Sequence, residues 1–118
     1  MSTLPEQVPA QHRVRIARGS FYLSAELCAL YLPGIDSIAP LAREGAVYLL
    51  PLLGTAGGGL LLKLRNAHGD RVVHALEFLR TLGLDADTPE LNVPVRWASG
   101  LGGLLLEGLP AAAGAAPP

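Results

Sequence analysis

The stretch that decides the fold runs from Ala46 to Leu84 and reads AVYLLPLLGTAGGG (46–59), LLLKLRNAHGDRVVHA (60–75) and LEFLRTLGL (76–84). Residues 45–62 carry no charge, and their length approaches the roughly 20 apolar residues of a membrane span. Three consecutive glycines and a proline would weaken a helix there, by about 1 kcal/mol per glycine and about 3 kcal/mol for the proline. We therefore predict no membrane span but two buried strands, Ala46–Leu50 and Gly59–Arg65, joined by a glycine-rich loop.

A hairpin and a helix are expected after this loop. The turn residues Asn66–Asp70 separate the strand Gly59–Arg65 from a return strand, Arg71–His74. From Ala75 to Leu82 the apolar residues recur at helical spacing, with Phe78 on the flank of the same face. Gly83 stands where a residue in left-handed conformation commonly ends a helix.

The N-terminal part predicts a strand followed by a short helix. Arg13–Arg18 alternates charged and apolar residues, Gly19 and Ser20 form a turn or bulge, and Phe21–Leu23 could continue the strand. Ser24 is a good N-cap for the helix that follows, and Pro33-Gly34 would end it.

The C-terminal part predicts a final hairpin. Val93–Trp97 and Leu104–Leu106 flank a glycine-rich turn, and Pro94 suggests an edge position or a strand start. The expected fold class is α+β, with a small, mostly antiparallel or barrel-like sheet and two short helices in the order β-α-β-β-β-α-β-β. We expect a disordered arm over 1–12, one α+β domain over 13–107 and a disordered Gly/Ala/Pro tail over 108–118.

Composition restricts the classes of function. The net charge is −1, only 16% of the residues are charged and half are apolar, so no bulk attraction to nucleic acid is expected. Such a charge-poor small domain suggests that a partner covers part of its surface. We expect a homodimer whose interface uses Phe21–Leu32 or Val93–Leu106. The single cysteine, Cys28, permits no intrachain disulfide, and the N-terminus shows no signal-peptide pattern, so a cytoplasmic location is expected.

The sequence lacks the motifs of common catalytic and cofactor sites. The glycine run lacks the Lys-Ser/Thr of a phosphate-binding loop, and Ser99 lacks the glycine that a nucleophile elbow needs. His68, Asp70 and His74 could ligate a metal, but a turn aspartate and a strand histidine are the preferred interpretation. We therefore predict no enzyme activity, no cofactor and no metal site.

Three arginines on the first strand suggest an interaction surface. Arg13, Arg15 and Arg18, followed by the Gly19–Leu27 entry into a helix and by a second strand, give residues 13–53 a pattern that resembles swapped-hairpin transcription factors of the AbrB and SpoVT type. That resemblance implies DNA binding. The residues predicted to bind a partner are Arg13, Arg15, Arg18, Phe21, Tyr22 and Trp97.

The function expected from these observations is non-catalytic. We expect an intracellular protein-binding or self-associating domain, an accessory or assembly factor of a larger enzyme complex. Two alternatives stay open, an AbrB-like DNA-binding transcription factor and a small-molecule or metal-binding domain.

Overall fold

The computed structural model describes residues 12–53 and 58–109. Within those residues the chain forms nine strands and two helices: β1 (Arg13–Ala17), β2 (Ser20–Leu23), α1 (Ala25–Tyr31), β3 (Ser37–Arg43), β4 (Ala46–Leu52), β5 (Leu60–Leu61), β6 (Lys63–Leu64), β7 (Arg71–His74), α2 (Leu76–Thr81), β8 (Leu91–Ala98) and β9 (Gly103–Leu106). The sheet order is β5-β3-β4-β9-β8-β1-β2-β7-β6, and its strand pairs are antiparallel. The expected mostly antiparallel, barrel-like sheet with two helices is confirmed, and the fold is richer in strands than the predicted order.

Two tight turns add strands that the sequence pattern did not separate. Ala17 pairs with Ser20, so the chain reverses through Arg18 and Gly19, whose φ values are 48° and 75°. Positive φ at both central residues defines the type I′ turn, whose twist suits a hairpin. Phe21–Leu23 therefore returns beside the first strand instead of continuing it. Glu44 and Gly45 make the same kind of turn between β3 and β4.

The chain changes partners at Leu62, where one strand was predicted. β5 pairs with β3, whereas β6 pairs with β7 at the opposite end of the sheet. Leu62 joins them, because its N–H donates to the Asp36 carbonyl and its own carbonyl accepts from the Arg71 guanidinium. The two ends of the sheet thus meet at one buried residue, and the sheet is a nearly closed barrel.

Pro94 marks a second change of partner, within β8. Leu91–Pro94 pairs with β1 and Val95–Ala98 pairs with β9, so each half of β8 is bonded mainly on one side. The Val95 N–H points to the β1 side, toward the His12 carbonyl, so the nitrogen of Pro94 faces the β9 side. Pro94 has no backbone N–H, and the pairing of β8 with β9 starts only at the next residue, Val95. Pro94 is not on an edge strand of the sheet as a whole, but it occupies a locally one-sided position that proline tolerates.

Each of the two helices packs a buried leucine into the core. The Oγ atom of Ser24 accepts the Leu27 N–H at 3.1 Å, as predicted for the N-cap of α1. Leu27 on α1 and Leu79 on α2 are fully buried in the same core cluster as the inward side chains of the strands. Gly83 follows α2 with a φ of 86°, which confirms the predicted helix stop.

The fold extends slightly past the predicted limits of 13 and 107. The His12 carbonyl accepts the Val95 N–H at 2.9 Å, and Leu109 is buried in the core. The rest of the predicted disordered arm and tail, 1–11 and 110–118, lies outside the described residues. In the described part of the chain, no helix is long and apolar enough to cross a membrane.

Candidate functional site

The outer surface of the barrel has one apolar half. Paired residues on neighbouring antiparallel strands share a face, so the pairs Leu41–Tyr48, Tyr48–Leu105 and Ser37–Leu61 place their side chains on the same outer side of β3, β4, β5 and β9. Alternate residues on these strands, such as Val47 and Leu49, are fully buried on the inner side. We call the outer set the apolar face; it consists of Leu41, Tyr48, Leu50, Leu52, Leu61 and Leu105.

Two glycines leave space for leucine side chains of the apolar face. A Cβ atom at Gly103 would lie 2.5 Å from the Cδ2 atom of Leu50, and one at Gly59 would collide with the Cδ1 atom of Leu52. Both leucines therefore lie across the sheet, in space that glycine leaves open. The result is a low surface of leucine side chains, in which Leu61 is 62% exposed and the other members are partly exposed.

The sequence contains a signal for this face in β4. Its residues, Ala46–Leu52, are apolar on both faces, a pattern typical of strands that are covered on both sides. The inner side packs against the core, whereas the outer side keeps part of its leucine and tyrosine surface exposed. The dimer interface predicted from the sequence uses Phe21–Leu32 or Val93–Leu106, and of the apolar face only Leu105 falls within those ranges.

A groove on the other half of the barrel is lined by three arginine side chains. Arg13 and Arg15 on β1, Tyr22 on β2 and Arg65 after β6 line a cavity of about 190 Å³, with Asp70 and Asn92 on its wall. We call this site the basic groove. Arg13, Arg15 and Tyr22 are three of the predicted partner-binding residues, and the structure brings them together.

Tyr22 lies beneath two of the arginines. The Cζ atom of Arg15 is 4.1 Å from the centroid of the Tyr22 ring, and that of Arg65 is 4.9 Å from it. Both distances are within the range of cation–π attraction. Arg65 was not predicted, because its place in the groove depends on the pairing of β6 and β7 next to β2.

Acidic groups limit the charge of the basic groove. Arg15 forms an ion pair with Glu90 at 3.5 Å. Asp70 accepts the Ala25 N–H at 2.8 Å and a side-chain N–H of Asn66 at 3.0 Å. These hydrogen bonds, from Asn66 first and from Ala25 second, lower the pKa of Asp70 below its ordinary value, so the carboxylate stays ionised at neutral pH.

The other predicted partner-binding residues lie elsewhere. Phe21 is fully buried, so its prediction as a surface contact is corrected. Arg18 is exposed in the turn between β1 and β2. Trp97 is partly exposed and stacks on Tyr31, with ring centroids 5.7 Å apart and planes at 1°.

The side chains of the three residues weighed as metal ligands do not form one cluster. Asp70 holds the turn as described, His68 donates its backbone N–H to the Asn66 side chain, and His74 Nδ1 lies 2.9 Å from Ser20 Oγ. Among the residues with described positions, no group of three or more His, Cys, Asp or Glu side chains is arranged to hold a metal ion.

A larger cavity of about 340 Å³ lies beside α1, lined by Cys28, Pro33, Leu62 and Arg71 among others. Burial raises the pKa of the Cys28 thiol, although Arg71 acts in the opposite direction. Cys28 is therefore a buried neutral thiol and a poor nucleophile.

Comparisons with known proteins give no relative. No protein-family model matches the chain, and no curated protein or solved structure matches it. The resemblance to AbrB and SpoVT proteins therefore stays a prediction.

Proposed function

We propose that this chain is a non-catalytic protein-binding domain that self-associates through its apolar face. The observation that carries the proposal is the presence of leucine and tyrosine side chains on the outer side of β3, β4, β5 and β9. Six large apolar residues on one outer side of the sheet favour association, since their burial removes apolar area from water.

A second copy of the chain is the occupant that the geometry favours. Sheet surfaces pack face to face at about 10 Å when their side chains are apolar and interdigitate. Gly59 and Gly103 have no side chains that project from the apolar face, so two copies can approach closely about a twofold axis. At its border, Arg96 and Glu107 form an ion pair of 2.6 Å, which gives the face a polar rim of the kind that surrounds interfaces.

The size of the apolar face predicts a weak dimer. Seven-residue strands at about 3.3 Å per residue and a strand spacing of about 4.8 Å give a plane of roughly 20 Å by 20 Å. Two such planes bury on the order of 1,000 Å² in total, the lower limit for specific interfaces. We therefore propose a concentration-dependent dimer with a dissociation constant above about 1 μM.

Methyl NMR at increasing protein concentration tests where association occurs. We expect concentration-dependent shifts at Leu50, Leu52 and Leu105, and none at Leu30 and Leu64, which are exposed outside the apolar face. Shifts confined to Leu30 and Leu64 would refute the proposed surface. The protein could instead stay monomeric while its apolar face is shielded from solvent. That result would show that a segment of the same chain covers the face, and it would refute the proposed dimer.

DNA binding is the second candidate function, and the basic groove favours it over a small-molecule site. Arg13 and Arg15 converge with Arg65, as a phosphate-binding surface requires. Glu90 and Asp70 oppose that role because they bring negative charge to the same groove. An accessory role in an enzyme complex and a cytoplasmic location remain predictions from composition.

A further inference from the structure

We propose that the basic groove binds the carboxylate of a single aspartate or glutamate side chain in an exposed segment of a partner protein. The groove lies on β1, β2 and the β6–β7 turn, apart from the strands that carry the apolar face. Its ligand is therefore independent of self-association. Its volume of about 190 Å³ is below the roughly 300–1,000 Å³ of small-molecule sites, which suits a single side chain.

Arg13 and Arg15 make only long contacts within the groove and can donate stronger hydrogen bonds to a ligand. The contact of Arg13 Nη1 with the Asn92 carbonyl and that of Arg15 Nη1 with Glu90 both measure 3.5 Å, well beyond the 2.7–2.9 Å of a strong charge-assisted hydrogen bond. A guanidinium group carries five N–H donors in a planar fork that matches a carboxylate. An incoming carboxylate can therefore take shorter bonds from Arg15 and displace Glu90, whose side chain is 47% exposed.

Tyr22 holds the guanidinium groups in position for such a ligand. Arg15 and Arg65 both lie over its ring, and this attraction reduces the side-chain freedom that binding would otherwise remove. The hydroxyl group of Tyr22 is not part of this attraction. The ring alone is therefore predicted to be needed, and Tyr22 is a positioning residue.

The charge of the groove favours a carboxylate over a phosphate or a nucleic acid strand. Three arginines face two carboxylates, Asp70 and Glu90, which leaves an excess of one positive charge. One carboxylate balances that excess. A phosphate group with a charge near −2 would exceed it, and a nucleic acid strand would bring further phosphates beside the fixed acids.

Fluorescence anisotropy with the full chain tests the proposal. The probe is a labelled glycine-serine peptide with one central glutamate, compared at low salt with its glutamine analogue, its phosphoserine analogue and a single-stranded oligonucleotide of similar length. We expect the glutamate peptide to bind most tightly and the glutamine peptide not to bind. A stronger affinity for the phosphopeptide or the oligonucleotide, or no binding of the glutamate peptide up to about 10 mM, would overturn the proposal.

Substitutions locate the binding site. Arg15→Gln and Arg65→Gln should each lower the affinity for the glutamate peptide about tenfold or more, which is the effect of losing a hydrogen bond between charged groups. Arg43→Gln, an exposed arginine at the end of β3, should leave the affinity unchanged. Arg65 is exposed outside the regular strands, so its variant should fold even if Arg15→Gln does not. Equal affinities of the Arg65→Gln, Arg43→Gln and unmodified proteins would refute this site.

Two tyrosine variants test the positioning role. Tyr22→Phe should retain the affinity, because the ring remains under the guanidinium groups. Tyr22→Leu should lower the affinity for the glutamate peptide several-fold. It should also broaden the Arg15 and Arg65 side-chain Nε–H signals in NMR spectra. Equal affinity and unchanged signals for Tyr22→Leu would show that the ring does not position the arginines.

Discussion

At the residue scale, Asp70 connects the turn after β6 to the start of α1. Its carboxylate accepts the Ala25 N–H and a side-chain N–H of Asn66, and these bonds lower its pKa in the folded state. A lowered folded-state pKa contributes stability that is present above the unfolded-state pKa, which is about 4 for aspartate. That stability is lost as the pH falls through the lowered pKa.

Asp70→Asn should therefore destabilise the protein at neutral pH and have progressively less effect in acid. The urea midpoint of both proteins, measured from neutral pH down to about pH 2, checks this. The two curves should converge below pH 4. A constant separation at every pH would show that the charge of Asp70 does not contribute.

Gly19 is required by the first hairpin turn for two reasons. Its φ is 75°, and a Cβ atom there would lie 2.8 Å from Leu76 Cδ1. Gly19→Ala should cost about 2 kcal/mol in the free energy of unfolding, mainly because left-handed backbone is unfavourable for alanine. Gly100→Ala, where a Cβ atom would meet nothing within 4 Å, should change that free energy by less than about 0.5 kcal/mol. Denaturant titration of both variants measures the difference, and equal effects would contradict the turn geometry.

At the element scale, α2 contributes to the core through one face. Leu79 is fully buried, Phe78 is partly buried against Phe21, and Glu77 is exposed. The helix is only six residues long, so tertiary packing and not helix propensity holds it in place.

Leu79→Ala should cost about 3 kcal/mol in the free energy of unfolding, the usual cost of truncating a buried leucine. Phe78→Ala should cost less, because part of its ring is already in water. Glu77→Ala on the same helix should stay within about 0.5 kcal/mol. Urea unfolding measured by circular dichroism would rank the three variants, and a Glu77→Ala loss as large as that of Leu79→Ala would refute the assigned face.

Local signals in the sequence predicted the elements that local chemistry determines. Ser24 as an N-cap and Gly83 as a helix stop depend on residues within a few positions of each other, and both are confirmed. The change of partner at Leu62 could not be predicted from local signals, because the pattern of Leu60–Leu64 is that of one strand. Only the folded structure shows that its two halves pair with different strands, β3 and β7. Arg65 joins the basic groove for the same non-local reason.

At the scale of the whole molecule, the barrel separates two kinds of surface. The outer side of β3, β4, β5 and β9 is apolar, whereas the outer side of β1 and β2 carries Arg13, Arg15 and Tyr22. The apolar composition predicted a covered surface, but its position depended on which side of β4 faces the core. β1 is not a free edge, because it pairs with both β8 and β2.

Self-association through the apolar face is the central claim, and a lysine there should prevent it. Leu61→Lys and Leu50→Lys each place a charge on the proposed interface, whereas Leu30→Lys adds the same charge at a leucine of α1 that is 55% exposed. Leu61 is itself 62% exposed, so its replacement should leave the fold intact.

Sedimentation equilibrium of the full chain between about 1 μM and 1 mM is the most direct measurement. The unmodified protein and Leu30→Lys should shift from the 12.3 kDa monomer toward twice that mass as the concentration rises. Leu61→Lys and Leu50→Lys should remain monomeric throughout the range. A monomer at every concentration for the unmodified protein, or a dimer that persists in both Leu61→Lys and Leu50→Lys, would contradict the claim.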